Sequence, residues 1–91
     1  MGHIASQKDA LILRVRKITG QLQAVERALA ADSDCAKTLH LVAAARGALN
    51  GLLDEIIEEH IREHVARPDL GAETRRIGAD QLIAAIRRYA K

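Results

Sequence analysis

Apolar residues recur at helical spacing in three separate segments of the chain. The first segment runs from about Ser6 to Ala30, the second from about Asp34 to Ala66, and the third from about Glu73 to Ala90. Steps of three and four residues place the apolar side chains along one stripe of a helix. The pattern therefore predicts an all-α fold in a single domain over residues 1–91. The stripe of the first helix consists of Leu11, Val15, Ile18, Leu22, Val25 and Leu29.

Short turns are expected between the helices. Asp32, Ser33 and Asp34 favour a turn and the N-cap of the second helix, because their side chains accept hydrogen bonds from free backbone N–H groups. Pro68 disfavours helix in the residue before it, so the second helix is expected to end near that proline. A loop at 69–71 follows. The side chains expected to point inward from the third helix are Ile77, Leu82, Ile83 and Ile86.

The second helix is too long for one small chain to cover. About 33 helical residues span about 50 Å, whereas a compact chain of this size has a radius of gyration near 12 Å. A small-residue patch around Gly47 and Gly51 would let two such helices approach closely. A second copy in antiparallel orientation is the simplest cover. The apolar residues to be covered are Leu39, Val42, Leu49, Leu52, Leu53, Ile56, Ile57 and Ile61.

Four side chains suggest a transition-metal site. His60 and His64 are four residues apart and project from one helix face, and Cys35 lies in the first turn, where the helix dipole favours the thiolate. Cys35 and His60 are 25 positions apart on one helix, or about 38 Å. In an antiparallel dimer centred between residues 47 and 48, Cys35 of one chain lies opposite His60 of the other. His3, before the first helix, is a further candidate ligand.

The chain resembles the CsoR/RcnR family of bacterial repressors over almost its whole length. The resemblance rests on the run RVRKITGQ at 14–21, on AAARGALNGL at 43–52, and on Cys35 with His60. It implies a three-helix protomer, an antiparallel dimer forming a four-helix bundle, and a dimer of dimers. It also implies that the metal-free homotetramer binds double-stranded operator DNA and that the effector releases it.

The residues at the sensing positions favour one effector class. Copper(I) sensors of the family have a second cysteine where this chain has His64, and persulfide sensors need two cysteines. Formaldehyde sensors have a proline where this chain has Gly2. The resemblance is greatest to the nickel/cobalt-sensing RcnR type, whose ligand positions correspond to His3, Cys35, His60 and His64. Ni(II) or Co(II) is therefore the expected cofactor, with Zn(II) or copper as alternatives.

Basic residues are concentrated in the first helix. Residues 8–27 contain five basic and two acidic side chains, whereas residues 51–65 contain five acidic and one basic. A basic helical face is a plausible phosphate footprint. The resemblance implies DNA contacts from Arg14, Lys17, Gln21 and Arg46, and Arg16 lies beside them.

Two other functions remain open at this stage, and a third is discounted. A formaldehyde-responsive repressor would use Cys35, and a metal carrier would bind no DNA. The run from His60 to His64 also matches the H-x-x-E-H motif of a metalloprotease class, but so short a helical chain offers little room for a substrate cleft, and no enzyme is expected. The lone cysteine and the absence of a long apolar run predict a cytoplasmic protein without a membrane span.

Overall fold

The computed structural model describes residues 7–89. These residues form three α-helices in the predicted order, joined by short loops. Helix α1 is Lys8–Ala30, α2 is Cys35–His64 and α3 is Ala72–Tyr89. No strand occurs in this part of the chain. The all-α prediction is confirmed, and the helix ends that can be compared differ from the predicted ones by at most two positions. The predicted ends at Ser6 and Ala90 lie outside the described residues.

The turn between α1 and α2 is built as the sequence predicts. Asp32 adopts a left-handed conformation with φ of 53°, and the Ser33 N–H donates to the Ala28 carbonyl at 3.0 Å. This arrangement satisfies a free carbonyl at the end of α1. The Asp34 carboxylate then accepts the Lys37 N–H at 2.9 Å and caps α2. The chain therefore reverses direction within four residues, 31–34.

The first of two compact units comprises residues 7–53, that is, α1 and the first part of α2. Its buried apolar side chains are few: Leu11, Ile18, Ala28 and Ala45. The predicted α1 stripe is only partly covered within this unit. The stripe residues Val15, Leu22 and Leu29 remain exposed, as do Leu39, Val42 and Leu49 of α2.

The second compact unit comprises the end of α2 and all of α3, residues 54–89 of the described chain. Gly78 of α3 is buried, and a Cβ added there would overlap the main-chain carbonyl of His64. The glycine is thus required for α3 to lie this close to α2. The predicted inward side chains were largely wrong, because α3 presents Gly78 to α2 instead. Leu82 is half-buried, whereas Ile77, Ile83 and Ile86 are exposed.

Candidate metal site and nucleic-acid interface

Two imidazoles form the centre of the candidate metal site. The His60 and His64 rings of α2 have their centroids 4.9 Å apart, and their planes are tilted by 39°. Both residues are half-buried. Their spacing of four residues brings the rings one helical turn apart on the same face, as predicted. The pair can therefore offer two nitrogen ligands from one chain to one ion.

His60 also contacts α3. Its Nε2 lies 2.9 Å from the carbonyl oxygen of Gly78. A carbonyl oxygen only accepts hydrogen bonds, so Nε2 carries the proton and donates. The interaction joins the candidate ligand to the helix that packs against it. This contact was not predicted from the sequence, although a lone glycine within a helical segment is a known sign of close approach.

Arg75 fixes the connection between α2 and α3. Its guanidinium donates to the main-chain carbonyls of Val65, of Arg67 at 3.3 Å and of Leu70 at 3.1 Å. These carbonyls lie beyond the last residue of α2, where no further helical turn supplies a donor. One side chain thus fixes the loop that sets where α3 begins. Arg75 was also missed, because its acceptors are backbone atoms that no sequence pattern marks.

Glu59 is buried, whereas the other acidic residues of this part of α2 are exposed or half-buried. It is only 3% exposed, and its Oε2 accepts no hydrogen bond from residues 7–89. The nearest cation is the Arg62 guanidinium, at 3.5 Å from Oε2. This geometry is an ion pair without a hydrogen bond. A carboxylate excluded from water therefore lies next to His60 in the sequence.

Cys35 is the first residue of α2, and its side chain is an exposed free thiol. It belongs to the first unit, whereas His60 and His64 belong to the second. Among residues 7–89, no group of three His, Cys, Asp or Glu side chains of one chain is placed to hold a metal ion. The imidazole pair fits half of a nitrogen–sulfur site. The remaining candidate, His3, lies outside the described residues.

The predicted DNA-contacting residues all belong to the first unit. Arg14, Lys17 and Gln21 of α1 line a shallow groove together with Ala48 of α2. Arg16, Lys17 and Arg46 are exposed, and Arg14 is half-buried. The guanidinium of Arg14 lies 2.7 Å from the position that a Cβ on Gly51 would take. The absence of a side chain at Gly51 therefore makes room for Arg14.

Gln21 contributes a buried side-chain oxygen to this groove. Its Oε1 is excluded from solvent and accepts no hydrogen bond within the described chain. A buried acceptor without a donor is unfavourable, so the position of the Gln21 oxygen costs free energy. The groove thus combines two cationic side chains, Arg14 and Lys17, with an amide oxygen that accepts no hydrogen bond from the described residues.

A helical chain with paired imidazoles on a long helix and cations on another has the features of an effector-responsive DNA-binding regulator. The chain belongs to the family of metal-sensitive transcriptional repressors, whose family model matches residues 7–88. This finding confirms the resemblance to the CsoR/RcnR family. Members of the family are regulators and not enzymes, and DNA is the partner that membership implies.

Two relatives illustrate the range of similarity. A protein named for its position in the 5′ region of bioA in Serratia marcescens is 41% identical over 91 residues, covering 100% of both chains. The solved structure of a variant of the formaldehyde-responsive regulator FrmR, from Salmonella enterica serovar Typhimurium, is 34% identical. The alignment covers 92% of this chain and 94% of that chain, with a TM-score of 0.86. The likeness therefore extends to the whole three-helix architecture.

No helix in residues 7–89 is both long enough and apolar enough to cross a membrane.

Proposed function

We propose that the chain is an oligomeric repressor that binds operator DNA in its metal-free form and releases it when a Ni(II)- or Co(II)-type ion binds. The observation that carries this proposal is the pair of stacked imidazoles, His60 and His64, with centroids 4.9 Å apart. Borderline nitrogen ligands beside a single thiol suit Ni(II), Co(II) and Zn(II) better than Cu(I), which prefers several sulfur ligands. Zn(II) and copper are alternative ions, and the experiment described below includes them.

The site is completed by a second copy of the chain. The most exposed apolar side chains of α2 lie along the line that runs from Cys35 to His60, and Leu39 is 64% exposed. Antiparallel pairing about the point between residues 47 and 48 sets Leu39 opposite Ile56 of the partner and Cys35 opposite the partner's His60. The same pairing thus covers the exposed residues and completes the ligand set. These exposed residues are Leu39, Val42, Leu49 and Ile56.

The DNA face of the proposed repressor is the basic surface of the first unit. Arg14, Arg16, Lys17 and Arg46 supply cations for phosphates, and Gln21 supplies an amide beside them. A dimer of dimers would present this surface four times, so that four weak sets of phosphate contacts act together on one DNA. With no helix-turn-helix pattern in the sequence, we expect recognition to depend strongly on DNA shape.

Release follows from a difference between two packings of the oligomer. When bound, the ion supplies a cross-link between sulfur and nitrogen ligands of two chains. Cys35 of one chain and the imidazoles of the other would then be held together, with His3 added from the segment before α1. The packing of the α1 helices changes, and their cations no longer match the operator. A coupling of about 1–3 kcal/mol between effector and DNA is typical of such regulators.

A second candidate effector is formaldehyde. The Cys35 thiol is exposed at the start of α2, and a solved relative is a formaldehyde-responsive regulator. In this version Cys35 is the nucleophile, and the reducing cytoplasm, where we place the protein, keeps it as a thiol. His60 and His64 would then be dispensable for the response, which separates the two candidates.

The test is release from DNA by each effector in parallel. An operator is first selected from random duplex DNA by repeated binding to the metal-free protein. Fluorescence anisotropy then follows release by Ni(II), Co(II), Zn(II), Cu(I) and formaldehyde. We expect Co(II) or Ni(II) to release the wild type but neither His60→Ala nor His64→Ala, both of which still bind the DNA. Release by formaldehyde alone, retained in both variants, would contradict the metal proposal.

A further inference from the structure

We propose that Gly51 of α2 is a positioning residue for DNA binding, because the space above it holds the Arg14 guanidinium of α1 in the orientation that contacts the operator. This inference rests on the proposed function, which assigns Arg14 to the DNA face. It begins from two short distances. The position that a Cβ on Gly51 would take lies 2.7 Å from Arg14 Nη2 and 3.7 Å from Arg14 Cζ.

A side-chain carbon at residue 51 is incompatible with the guanidinium in this place. Non-bonded heavy atoms prefer separations of roughly 3.5–4 Å, so a Cβ at 2.7 Å from Nη2 forces one of the two groups to move. Every residue other than glycine has a Cβ. The observed position of Arg14 is therefore available only because residue 51 is glycine.

The two glycines of α2 have different surroundings. The sequence pattern groups Gly47 and Gly51 in one small-residue patch that would face a second copy of α2. Within the described chain, however, Gly51 is half-buried and its added Cβ meets Arg14, whereas Gly47 is exposed and its added Cβ meets no atom within 4 Å outside its own helix. Gly51 thus faces α1 of the same chain, and its lack of a side chain has a local use that Gly47 does not share.

Arg14 differs from the other cations of the proposed DNA face. It is half-buried, whereas the remaining three are exposed: Arg16, Lys17 and Arg46. A long exposed side chain loses rotamer freedom when it binds a phosphate, and this loss opposes binding. Arg14 has already lost part of that freedom in the folded chain, because it lies against α2. Arg14 is therefore the cation that the fold prepares for binding.

The position above Gly51 also places Arg14 beside the other polar groups of the groove. Arg14, Lys17 and Gln21 line this groove together with Ala48 of α2. Ala48 precedes Gly51 by three residues, so the two lie on one face of α2 and leave space for the long side chains of α1. A guanidinium binds a phosphate through parallel N–H donors, which makes its orientation as important as its charge. The orientation set at Gly51 therefore determines how well Arg14 can bind a DNA phosphate.

Substitution of Gly51 should change this contact without damaging the fold. The atoms that an added Cβ meets belong to the end of a flexible side chain, so Arg14 moves and the helices need not. Alanine also favours helix over glycine. Gly78 differs, because an added Cβ there meets a main-chain carbonyl. Gly51→Ala therefore separates the orientation of Arg14 from the stability of the chain.

The first test measures the Arg14 side chain in the absence of DNA. Nitrogen NMR relaxation of the arginine Nε atoms reports how restricted each guanidinium is on the ps–ns timescale, and Arg14→Lys assigns the Arg14 signal. In the wild type, Arg14 should be more restricted than the exposed Arg16, and Gly51→Ala should remove most of this difference. Equal restriction of Arg14 in the wild type and in Gly51→Ala would overturn the inference.

The second test is a double-mutant cycle on DNA affinity, measured by fluorescence anisotropy with the duplex that the wild type selects. Loss of one charged hydrogen bond corresponds to binding that is weaker by about 10-fold or more, and we expect such a loss from Gly51→Ala and from Arg14→Ala. If Gly51 acts through Arg14, the double variant binds no more weakly than Arg14→Ala alone. Losses that multiply in the double variant would mean that Gly51 acts without Arg14, against the inference.

A control variant and two measurements exclude a merely structural effect. Gly20→Ala adds a Cβ that meets no atom within 4 Å outside its own helix, and its DNA affinity should match the wild type. Gly51→Ala should associate like the wild type in sedimentation equilibrium and should unfold in urea at an equal or higher concentration. A loss of DNA affinity that appears only together with a loss of assembly would assign Gly51 to the contact between copies and overturn the inference.

The two proposals fail in different ways. If the wild type selects no DNA duplex, the proposed function and the DNA role of Gly51 are both overturned. If the wild type selects an operator and Gly51→Ala binds it equally well, the function stands and the role of Gly51 is overturned.

Discussion

The two compact units of the chain are held together by different kinds of contact. Residues 7–53 rest on a few buried apolar side chains, namely Leu11, Ile18, Ala28 and Ala45. Residues 54–89 rest on directional polar contacts: the His60–Gly78 hydrogen bond and the three carbonyls bound by Arg75. Apolar burial is non-directional and can be completed by another chain, whereas main-chain hydrogen bonds require fixed geometry. Packing within the first unit therefore tolerates rearrangement of its side chains, whereas packing within the second depends on the exact positions of its donors and acceptors.

The largest expected effect concerns assembly through the exposed apolar residues. Leu39→Ala removes apolar surface worth about 2 kcal/mol per subunit in a covered site, so a dimer should form about a thousandfold more weakly. Sedimentation equilibrium of the metal-free protein measures this change. Lys37→Ala, an exposed polar position in the same part of α2, is the control and should assemble normally. Equal association of both variants would mean that α2 is not the interface.

The next prediction compares a glycine-to-alanine substitution in the first unit with one in the second. Gly20→Ala should raise the free energy of unfolding by up to about 1 kcal/mol, because alanine favours helix over glycine. Gly78→Ala should lower it by about 3 kcal/mol, since the added Cβ overlaps the His64 carbonyl. Urea unfolding at one fixed protein concentration measures both. Stabilisation by both substitutions would show that α3 does not depend on close packing at residue 78.

Substitution of two neighbouring arginines tests the polar contacts of the second unit. Arg75→Met leaves main-chain carbonyls without their donor and should cost about 2 kcal/mol. Arg76→Met removes a guanidinium that pairs with the exposed carboxylates of Glu73 and Asp80 and should cost much less. Thermal unfolding of the pair gives the comparison. A larger loss from Arg76→Met would contradict the role given to Arg75.

The smallest effect is pH-dependent and arises in the loop between α2 and α3. The hydrogen bond from the Arg67 guanidinium lowers the pKa of Asp69, so the charged carboxylate favours the folded state. That contribution is present above the ordinary Asp pKa, about 3.9, and is lost as the pH falls through the lowered pKa. Asp69→Asn should therefore lower Tm slightly at pH 7 but not at pH 2. A deficit that persists at pH 2 would assign the loss to another cause.

The local features of the fold could be predicted from sequence because they depend on neighbouring residues. Helical spacing identifies three helices, and the Asp32–Asp34 turn and Pro68 mark where they stop. The His60–His64 pair follows from a spacing of four residues, and the distance of 4.9 Å between the ring centroids agrees with it. The inward residues of α3 could not be predicted, because Gly78 determines which side approaches α2 and the apolar side chains do not.

The supporting contacts of the site depend on backbone atoms that are distant in sequence. Residues 60 and 78 are joined through a main-chain carbonyl, which every residue possesses, so no residue type marks the partner. The same reasoning applies to Arg75. Burial of Glu59 was also missed, because an acidic run usually indicates a solvated face. The ligands can thus be read from the sequence, whereas the groups that orient them need the fold.

A metal site shared by two copies of the chain can be tested by mixing two variants that each lack one of its ligands. Cys35→Ala and His60→Ala homodimers should each bind Co(II) poorly. Unfolded and refolded together, they form heterodimers with one intact pair of Cys35 and the partner subunit's His60. We predict that the mixture recovers Co(II) binding, read from thiolate-to-cobalt absorption, at one site per heterodimer. A mixture that binds no more Co(II) than the two separate variants would contradict the account.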